Sequence, residues 1–597
     1  MGYIRPKAMA WRSTAISLLL LLHIAAGAPN IVLLMTDDHD DVFSGGVDAM
    51  PNLARIVGDG GTQFSRFYVT TSQCSPSRAS ILTGRYAHNH RVLDNGFMNR
   101  VTGRRIGGAA AFAAHESRTI ATLLRDEADY ETALYGKYLV YYLRAAHVPQ
   151  GWDHWSSLID PHKFYNGSYS LNGVRTEIPR NVHQTDFLAG TAVEFLRTRN
   201  RTRPFFMHLT PFAPHEPSTP AYRHQGLFAD HTVPRTRSYD HADDALQAKK
   251  GSFVGRMDRL SEYWHDEYNR RYVTTMESLQ SVDEMVAVLE HELIALGDWD
   301  NTYLFYTSDN GYKAGQHRLG EKALPYEEDI RVPFAVRGPG VSIGRVVDEM
   351  TLNIDLAPTW LDLAGVDTPL WMDGRSFAGV LHGASETLPR RAEFAVEATG
   401  MGTKAHHRNQ ENGVVVAHGR FQNCTYIGLR GLDYLYVEWC TGELEYYNTT
   451  TDPWQLDNIY DELDNTTAHR LSALLQAHYT CIGSACTTPQ PDYENHVRTT
   501  VCCVNWPGAE NCGDGCVAGD EECDSVDNCD ASTCTCATGY TRSSILSNTC
   551  VPVFDIDSAV LSAGCIVLSS AIIVAMSLLL LRYSKRHYTP SLDSTTE

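Results

Sequence analysis

Short apolar runs that end in polar clusters alternate with helical stretches in the part of the chain from residue 29 to residue 385. Residues 30–35, 204–209 and 303–306 are apolar runs of strand length, so we expect three buried strands there. Residues 119–128 place apolar side chains at helical spacing, which predicts a helix. This alternation predicts an α/β sandwich with a mostly parallel central sheet. Ligands bind beyond the carboxyl ends of strands in such sheets, so the polar clusters after these strands are candidate sites.

The hydrophobic pattern changes toward the C-terminus. Residues 386–491 contain shorter strand-like pieces, such as 434–438, and then a helical pattern over 468–479, which predicts a small α+β C-terminal subdomain. Residues 500–552 carry nine cysteines and almost no large apolar side chains. Only disulfides or a bound cation can hold such a cysteine-rich module together. We therefore expect a catalytic domain over 29–385, followed by the subdomain and the module.

Both ends of the chain carry targeting patterns. Residues 1–28 begin with basic side chains, continue with an apolar stretch and close with small residues, which is typical of a secretory signal rather than a buried helix. Residues 558–581 contain no charged side chain, are long enough to span a bilayer and are followed by basic residues. This pattern predicts a type I membrane protein with one transmembrane helix and with residues 582–597 as a cytoplasmic tail. The polar tail argues against the alternative, a removed lipid-anchor signal.

Composition narrows the class of protein and its compartment. The 597 residues are 43% hydrophobic and carry a net charge of −21, so we expect a globular protein that binds no nucleic acid. Fifteen cysteines occur together with five N-x-S/T sequons, which indicates the oxidising secretory pathway. The sequons lie at Asn166, Asn200, Asn423, Asn448 and Asn465. Proximity along the chain suggests disulfides between Cys424 and Cys440 and between Cys481 and Cys486.

Oxygen-rich clusters follow two of the predicted strands. Asp37 and Asp38 come directly after the first of these strands, and Asp309 and Asn310 come after the last. Adjacent carboxylates repel each other unless a cation lies between them, and Asp and Asn oxygens are ligands that calcium or magnesium accepts. Each cluster alone is also typical of a solvated acidic turn or a helix cap. Because both clusters lie at strand ends, together they predict a site for a divalent metal.

Residues 74–78 read CSPSR, within the longer run QCSPSRASILTGRY. A cysteine in a secreted protein most often forms a structural disulfide. Counting does not settle the state of Cys74, because thirteen cysteines remain when Cys74 and Cys565 of the predicted membrane segment are set aside. The residues around Cys74 are more informative than the count.

CSPSR resembles the sulfatase signature C-x-P-S-R, in which the cysteine is oxidised to formylglycine in the secretory pathway. Three longer stretches are similar to the N-acetylglucosamine-6-sulfatases and their endosulfatase relatives: PFFMHLTPFAPHEPSTPA, TYLFYTSDNGYKAGQHRLGEKALPYEEDIRVPF and YYNTTTDPWQLDNIY. The resemblance covers roughly residues 29–491 and leaves out the cysteine-rich module and the membrane segment. It implies an alkaline-phosphatase-like sandwich. It also implies that a formylglycine-generating enzyme is a partner that converts Cys74 during maturation.

The resemblance assigns roles to individual residues. The implied metal is calcium, and its implied ligands are Asp37, Asp38, Cys74, Asp309 and Asn310. The implied cations around the sulfate oxygens are Arg78, Lys137 and Lys322. His215 is the implied proton donor to the leaving alcohol. The alternatives are a helix-capping arginine, surface or ion-paired lysines and an ordinary loop histidine.

One position departs from the pattern of many sulfatases. They have a histidine two residues after the lysine at position 137, where it takes the proton from the second hydroxyl of hydrated formylglycine, whereas this chain has Leu139. The N-acetylglucosamine-6-sulfatases share the departure, so it does not imply an inactive protein. His88, His90 and His317 are candidates for the role, and each is also typical of a packing or surface histidine.

The resemblance further implies hydrolysis of a sulfated glycan, with the 6-O-sulfate of N-acetylglucosamine in heparan or keratan sulfate as the expected target. The endosulfatases carry a large basic insertion, and this sequence has no comparable block, so we expect an exo-acting enzyme on the cell surface or an endolysosomal membrane. The alternatives are an aryl or other carbohydrate sulfatase, a phosphomonoester or phosphonate hydrolase of the same fold, and an inactive receptor for sulfated glycans. A disulfide at Cys74 would favour the receptor.

Overall fold

The computed structural model describes most of the chain up to residue 496. The described ranges are 27–41, 45–96, 107–159, 162–383, 391–398, 425–439 and 441–496, together with the backbone of six short strands between residues 404 and 552. The predicted secretory signal lies outside these ranges except for its last two residues, and so do the predicted membrane segment 558–581 and the cytoplasmic tail. Within the described ranges, no helix combines the length and the apolar character that crossing a bilayer requires.

The predicted cysteine-rich module is described only through short pieces of strand. Cys529–Asp530 pairs antiparallel with Thr535–Cys536, and Tyr540–Arg542 pairs antiparallel with Cys550–Pro552. These pieces belong to a compact unit separate from the one that holds the large sheet. The boundaries 500–552 therefore stay a prediction from the sequence.

A ten-stranded mixed sheet forms the centre of the first unit. In chain order its strands are β1 (Asn30–Thr36), β2 (Thr62–Phe64), β3 (Glu131–Gly136), β4 (His154–Leu158), β5 (Ser168–Leu171), β6 (Val174–Glu177), β7 (Phe205–Thr210), β8 (Thr302–Ser308), β9 (Ala335–Arg337) and β10 (Arg345–Val347). Their spatial order is β10-β2-β9-β8-β1-β7-β3-β4-β5-β6. The strands from β8 to β4 are parallel, whereas β9 and β5 run antiparallel to both neighbours. The sheet is parallel at its centre, as predicted, and mixed toward its edges.

The three predicted strands are confirmed as β1, β7 and β8, with ends that shift by one or two residues. β1 lies between the other two and pairs with β8 in parallel over its whole length, from Asn30 opposite Thr302 to Thr36 opposite Ser308. Alternate side chains of β1 enter separate apolar cores on the two faces of the sheet, because successive side chains of a strand point to opposite faces. Burial on both faces explains why these strands are uniformly apolar in sequence.

Helices cover both faces of the large sheet. The main ones are α1 (Cys74–Thr83), α2 (Ile120–Ala128), α3 (Gln184–Thr198), α4 (Glu262–Leu296) and α5 (Leu356–Leu363). Shorter helical segments are Pro51–Leu53, Ala54–Asp59, Ala87–His90, Gly108–Phe112, Asp244–Ala248, Glu327–Ile330 and Ala378–Leu381. Side chains of α1, α2 and α5 enter the core on one face, and those of α3 and α4 enter the core on the other. This layering is the predicted α/β sandwich, and the predicted helix 119–128 is confirmed as α2, which begins after its capping residue Thr119.

A smaller antiparallel sheet and one helix follow the large sheet. The strands are β11 (Glu393–Ala398), β12 (Tyr426–Gly431), β13 (Tyr434–Trp439) and β14 (Leu444–Asn448), and the helix is α6 (Asn465–Thr480). One face of this sheet packs under α6 and the other joins the apolar core of the large sheet. The strand predicted at 434–438 and the helix predicted at 468–479 are confirmed. The disulfide between Cys481 and Cys486 is present, whereas Cys424 and Cys440 lie outside the described residues.

A buried lysine links the smaller sheet to the segment that precedes α4. The Nζ of Lys250 donates to the hydroxyl of Tyr447 at 3.1 Å and to the backbone carbonyl of Gln455. The same ammonium lies 4.6 Å from the ring centroid of Tyr326 and 4.7 Å from that of Tyr447. Burial lowers the pKa of Lys250 to about 8, although Glu445 and other carboxylates favour its charged form. The two regions are therefore joined by a polar contact as well as by apolar packing.

Candidate active site

The polar clusters that follow β1 and β8 lie side by side. Because the two strands pair in register up to their last residues, Asp37 and Asp38 leave the sheet next to Asp309 and Asn310. The backbone N–H of Asp38 donates to Oδ1 of Asp309 at 3.2 Å. Nδ2 of Asn310 donates to Oδ1 of Asp38 at 2.7 Å. The parallel sheet thus gathers four oxygen-bearing side chains at its carboxyl edge.

Cys74 is the first residue of α1 and is a free thiol. Its side chain is buried, with 1% of the residue exposed. Sγ lies 2.9 Å from Nζ of Lys322 and 3.7 Å from Oδ1 of Asp37. The helix N-terminus favours negative charge at this position. A free thiol that faces both a lysine and a carboxylate is unlike a structural cystine, and the disulfide that would favour a receptor is not formed.

Arg78 lies one turn further along α1 and is fixed from several directions. Its Nε donates to Oδ2 of Asp309 at 2.7 Å, and Nη2 lies 3.5 Å from Oδ2 of Asp37. Nη1 donates to the backbone carbonyl of Lys137 at 2.6 Å and to Oγ1 of Thr210 at 2.8 Å. The guanidinium therefore joins the ends of β1, β3, β7 and β8 at the site. Capping of its own helix, the alternative for Arg78, is not its role in this structure.

Lys137 follows β3 and reaches the first aspartate of the cluster. Its Nζ donates to Oδ2 of Asp37 at 2.5 Å and lies 5.5 Å from the ring centroid of Phe212. The side chain is buried, so it is not a solvated surface lysine. Phe212 comes two residues after β7, and together with Thr210 it is a site residue that the sequence analysis did not identify. Thr210 is the last residue of β7 and Phe212 lies between β7 and His215, so their position at a strand end was the available signal.

Lys322 reaches the second aspartate from the position that follows the short strand Gly320–Glu321. Its Nζ donates to Oδ1 of Asp38 and also contacts Sγ of Cys74. The flanking residues Glu321 and Ala323 have φ angles of 64° and 81°, in the left-handed region that few side chains adopt. Such backbone strain concentrates at functional sites because the surrounding structure has to hold it in place.

His215 completes the cluster from the loop after β7. Its Nε2 lies 3.6 Å from Oδ2 of Asp38, its Nδ1 is 2.7 Å from the carbonyl oxygen of Glu216, and its ring stacks on Phe212 at 4.5 Å. Burial alone lowers the pKa of His215, but the charges of Asp38 and Asp37 outweigh burial and raise the pKa to about 9. A protonated imidazole donates from both nitrogens, so Nε2 is able to give a proton while Nδ1 is held by the backbone.

The surroundings of Asp37 and Asp38 favour their ionised forms. Burial raises the pKa of Asp37 and of Asp38, but the nearby cations outweigh it and hold both below the usual range of an aspartate. Lys137 is the main cation for Asp37, and Lys322 is the main cation for Asp38. Burial lowers the pKa of Lys322, but Asp38 and its neighbours raise it well above the usual value of a lysine. The site is therefore a compact set of opposite charges sequestered from water.

The oxygen-rich part of this cluster fits a hard divalent cation. Ligand atoms of Asp37, Asp38, Cys74 and His215 lie within 4.8 Å of one another. Oδ1 of Asn310 is buried and has no hydrogen-bond partner within the described residues. A buried amide oxygen without a donor requires another electron-pair acceptor, and calcium or magnesium binds such carboxylate and amide oxygens.

The three histidines considered for the second proton transfer have other partners. Nδ1 of His88 lies 2.9 Å from Oε1 of Glu397, and Nε2 of His90 lies 3.0 Å from Oγ of Ser80. His317 lies 3.3 Å from a carboxylate oxygen of the helical segment Glu327–Ile330 and stacks on a tyrosine ring. Among the described contacts, none joins these histidines to residue 74. The structure does not bring any of the three into the cluster.

Comparison with known proteins agrees with the geometry. Residues 29–366 match the family model described as Sulfatase. The chain is 34% identical over 494 residues to the N-acetylglucosamine-6-sulfatase of Homo sapiens. The aligned region is 78% of this chain and 87% of that protein. It is 39% identical over 361 residues to the extracellular sulfatase SULF-1 homolog of Drosophila melanogaster. The aligned region is 59% of this chain but only 31% of that protein.

A solved structure gives the same result at the level of the fold. The protein solved in complex with its substrate D-glucosamine-2-N,6-O-disulfate superimposes with a TM-score of 0.59 and 25% identity, over 76% of this chain and 98% of the other. The alkaline-phosphatase-like sandwich implied by the sequence is therefore the observed fold. The family match and the similar relatives together show that the chain belongs to the sulfatase family and is a hydrolase of sulfate esters.

Proposed function

We propose that this sulfatase removes the 6-O-sulfate from a terminal N-acetylglucosamine of a glycosaminoglycan such as heparan or keratan sulfate. The observation that carries the proposal is the buried thiol of Cys74, which faces Lys322 and Asp37 inside a set of carboxylates and cations. The N-acetylglucosamine-6-sulfatase of Homo sapiens, of which 87% is matched, supports this choice of sugar.

We propose that Cys74 is converted to formylglycine by a formylglycine-generating enzyme before the protein acts. The thiol occupies the position that the hydrated aldehyde would take, so contacts to Sγ stand for contacts to its hydroxyls. Hydrated formylglycine supplies a nucleophilic hydroxyl that is regenerated at each turnover. In that place, Lys322 at 2.9 Å is positioned to favour the anionic form of a hydroxyl on residue 74.

The proposed metal is calcium, held by Asp37, Asp38, Asp309, Asn310 and the modified residue 74. Bound calcium would withdraw charge from a sulfate oxygen. The orphaned Oδ1 of Asn310 and the ionised pair Asp37 and Asp38 support this ligand set. Arg78 holds Oδ2 of Asp309, which leaves the other oxygen of that carboxylate directed toward Asp38.

The remaining charged residues divide between binding the ester and donating a proton. Arg78, Lys137 and Lys322 place three positive charges around the space beside Cys74, where a sulfate ester has to bind for attack at sulfur. We assign the proton transfer to the leaving alcohol to His215, because its Nε2 faces the site and its imidazole is protonated at neutral pH.

The test compares three esters with the purified enzyme: 6-O-sulfated N-acetylglucosamine, 4-nitrophenyl sulfate and 4-nitrophenyl phosphate. We expect the sugar sulfate to give the highest kcat/KM and the phosphate the lowest. Preference for the phosphate would instead identify a phosphomonoesterase of the same fold. Binding of sulfated glycan without release of sulfate from any ester would identify a receptor.

Exo action is tested with a defined oligosaccharide that carries 6-O-sulfates at its non-reducing end and at an internal glucosamine. A chain with a net charge of −21 repels a long polyanion, so the terminal sulfate should be released first. Equal rates of release at both positions would contradict exo action. Passage through the secretory pathway and the tether by residues 558–581 also stay proposals, and extraction of the expressed full-length protein with detergent but not with carbonate tests the tether.

A further inference from the structure

Arg271 lies in the N-terminal third of α4, and its side chain is 11% exposed. It forms an ion pair with Glu267 one turn earlier at 2.7 Å and another with Glu216 at 3.2 Å. Its Nη1 also donates to the hydroxyl of Tyr312 at 3.0 Å. The guanidinium is therefore held by its own helix and joined to two separate loops.

The two loops are those that carry the active-site residues. Glu216 follows His215, and the backbone carbonyl of Glu216 is the atom that holds Nδ1 of His215 at 2.7 Å. Tyr312 comes two residues after Asn310, in the loop that begins at the end of β8. Arg271 thus ties the loop of the proton donor and the loop of the metal ligands to one rigid helix.

A pocket opens beside this arginine and reaches the charged cluster. Its lining includes Asp38, Glu216, Ser218, Arg271, Thr275 and Tyr312. Asp38 belongs both to this lining and to the contact with His215, whose Nε2 lies 3.6 Å from Oδ2 of Asp38. Arg271 and Glu216 therefore border a space that reaches the charged cluster.

We propose that Arg271 is a positioning residue that fixes the proton donor His215 through Glu216. The proposal rests on the proposed function, because it takes His215 as the acid. The carboxylate of Glu216 held by Arg271 fixes the peptide whose carbonyl accepts from Nδ1, and this sets the direction of Nε2. Without Arg271, His215 is still present as an acid, but its ring is free to turn away from the leaving oxygen.

The leaving group separates this role from a merely structural one. A sugar alcohol is a poor leaving group and needs a proton in the transition state, whereas 4-nitrophenolate leaves without one. A variant with a misdirected acid therefore loses kcat on the sugar sulfate and keeps it on the aryl sulfate. A variant with a damaged fold or a lost metal loses activity on both esters alike.

The experiment measures kcat and KM of Arg271→Gln and Arg271→Lys on 6-O-sulfated N-acetylglucosamine and on 4-nitrophenyl sulfate. We expect Arg271→Gln to lower kcat on the sugar sulfate by about 100-fold, the lower end of a general-acid contribution, and on the aryl sulfate by less than about threefold. Arg271→Lys should recover part of the loss. A lysine still pairs with Glu216, but it has no planar guanidinium with which to contact Glu216 and Tyr312 at the same time. Arg197→Gln is the matched control, since Arg197 forms a bidentate pair with Glu292 on the same helix and is 61% exposed.

Combination with His215→Gln gives the second readout. If Arg271 acts through His215, the double variant should be no slower on the sugar sulfate than His215→Gln alone. Equal losses on both esters for Arg271→Gln, or losses that multiply in the double variant, would overturn the proposal. A wild-type enzyme that hydrolyses only aryl sulfates would refute the proposed sugar, and the same comparison between phenyl sulfate, which has the more basic leaving group, and 4-nitrophenyl sulfate would then decide the role of Arg271. A wild-type enzyme that hydrolyses no sulfate ester would overturn both.

Discussion

The substitution Asp309→Asn removes one negative charge from the centre of the site and keeps the volume of the side chain. Asp309 is fully buried, and its Oδ2 accepts from Nε of Arg78 at 2.7 Å. Its Oδ1 accepts from the backbone N–H of Asp38 at 3.2 Å. The variant therefore deprives Arg78 of its shortest contact to a carboxylate and places an amide NH₂ or a weaker acceptor against the guanidinium.

The expected loss of stability in Asp309→Asn depends on the contacts that Arg78 retains. Removal of one partner from a buried ion pair costs about 3–5 kcal/mol. Arg78 retains the carboxylate of Asp37 at 3.5 Å and the two neutral acceptors on Lys137 and Thr210. We therefore expect a loss at the low end, about 3 kcal/mol in the free energy of unfolding. We expect kcat/KM to fall by at least about 100-fold, because the same substitution would weaken the proposed calcium site and loosen Arg78, to which we assign binding of the ester.

The assay follows thermal unfolding with excess calcium and with a chelator, alongside kcat/KM on the sugar sulfate. A ligand that binds the native state raises the midpoint of unfolding, so the wild-type midpoint should be higher with calcium. The shift should be much smaller in Asp309→Asn. Asp355→Asn is the control, since Asp355 forms a buried pair with Arg391 at 2.5 Å and should lose stability while the calcium-dependent shift is kept. An Asp309→Asn variant with the full calcium shift and wild-type activity would refute the assignment of Asp309 to the metal.

Three further predictions concern other residues. Cys74→Ala should fold and show the calcium shift but lose nearly all turnover, and peptide mass spectrometry across residue 74 should find formylglycine in the active wild type; an unmodified thiol in fully active enzyme would contradict this. Burial lowers the pKa of Lys250 to about 8, so its buried charge is relieved as the pH rises, and urea unfolding between pH 7 and 9 should show wild type gaining roughly 1 kcal/mol relative to Lys250→Met. Lys313→Met leaves the buried carboxylate of Asp329 unpaired and should cost about 3–5 kcal/mol in urea unfolding, whereas equal stability would show that this pair contributes nothing.

The parts of the fold that the sequence predicted are those set by local patterns. Strands β1, β7 and β8 are apolar runs buried on both faces, and their polar ends fall where a parallel sheet gathers its ligands. The antiparallel strands β5 and β9 were not predicted, because strand direction depends on pairing between distant segments rather than on the strand's own residues. A run of three or four residues with a mixed apolar and polar pattern does not indicate which strand it pairs with or in which direction.

The same distinction holds for the site. The residues assigned to it lie in short motifs at strand ends or in the CSPSR run, and the structure gathers them in one buried cluster. Phe212, Thr210 and Arg271 escaped the sequence analysis because a phenylalanine, a threonine and a helical arginine are ordinary residues in the places where they occur. Arg271 and Glu216 are 55 residues apart in the chain, and only the packing of α4 against the loop after β7 brings them together.

The burial of Cys74 in the folded protein limits when another enzyme can modify this residue. A thiol that is 1% exposed at the start of α1 is out of reach of another enzyme's active site once the helix has docked. The proposed conversion of Cys74 to formylglycine would therefore have to precede docking, while this stretch is still an accessible segment of nascent chain. On this proposal, molecules that fold before they are modified stay inactive, and later exposure to the maturation enzyme does not activate them. The specific activity of a preparation then depends on whether the maturation enzyme modifies the chain as fast as it is synthesised. Overexpression should therefore raise the yield of protein more than the yield of activity.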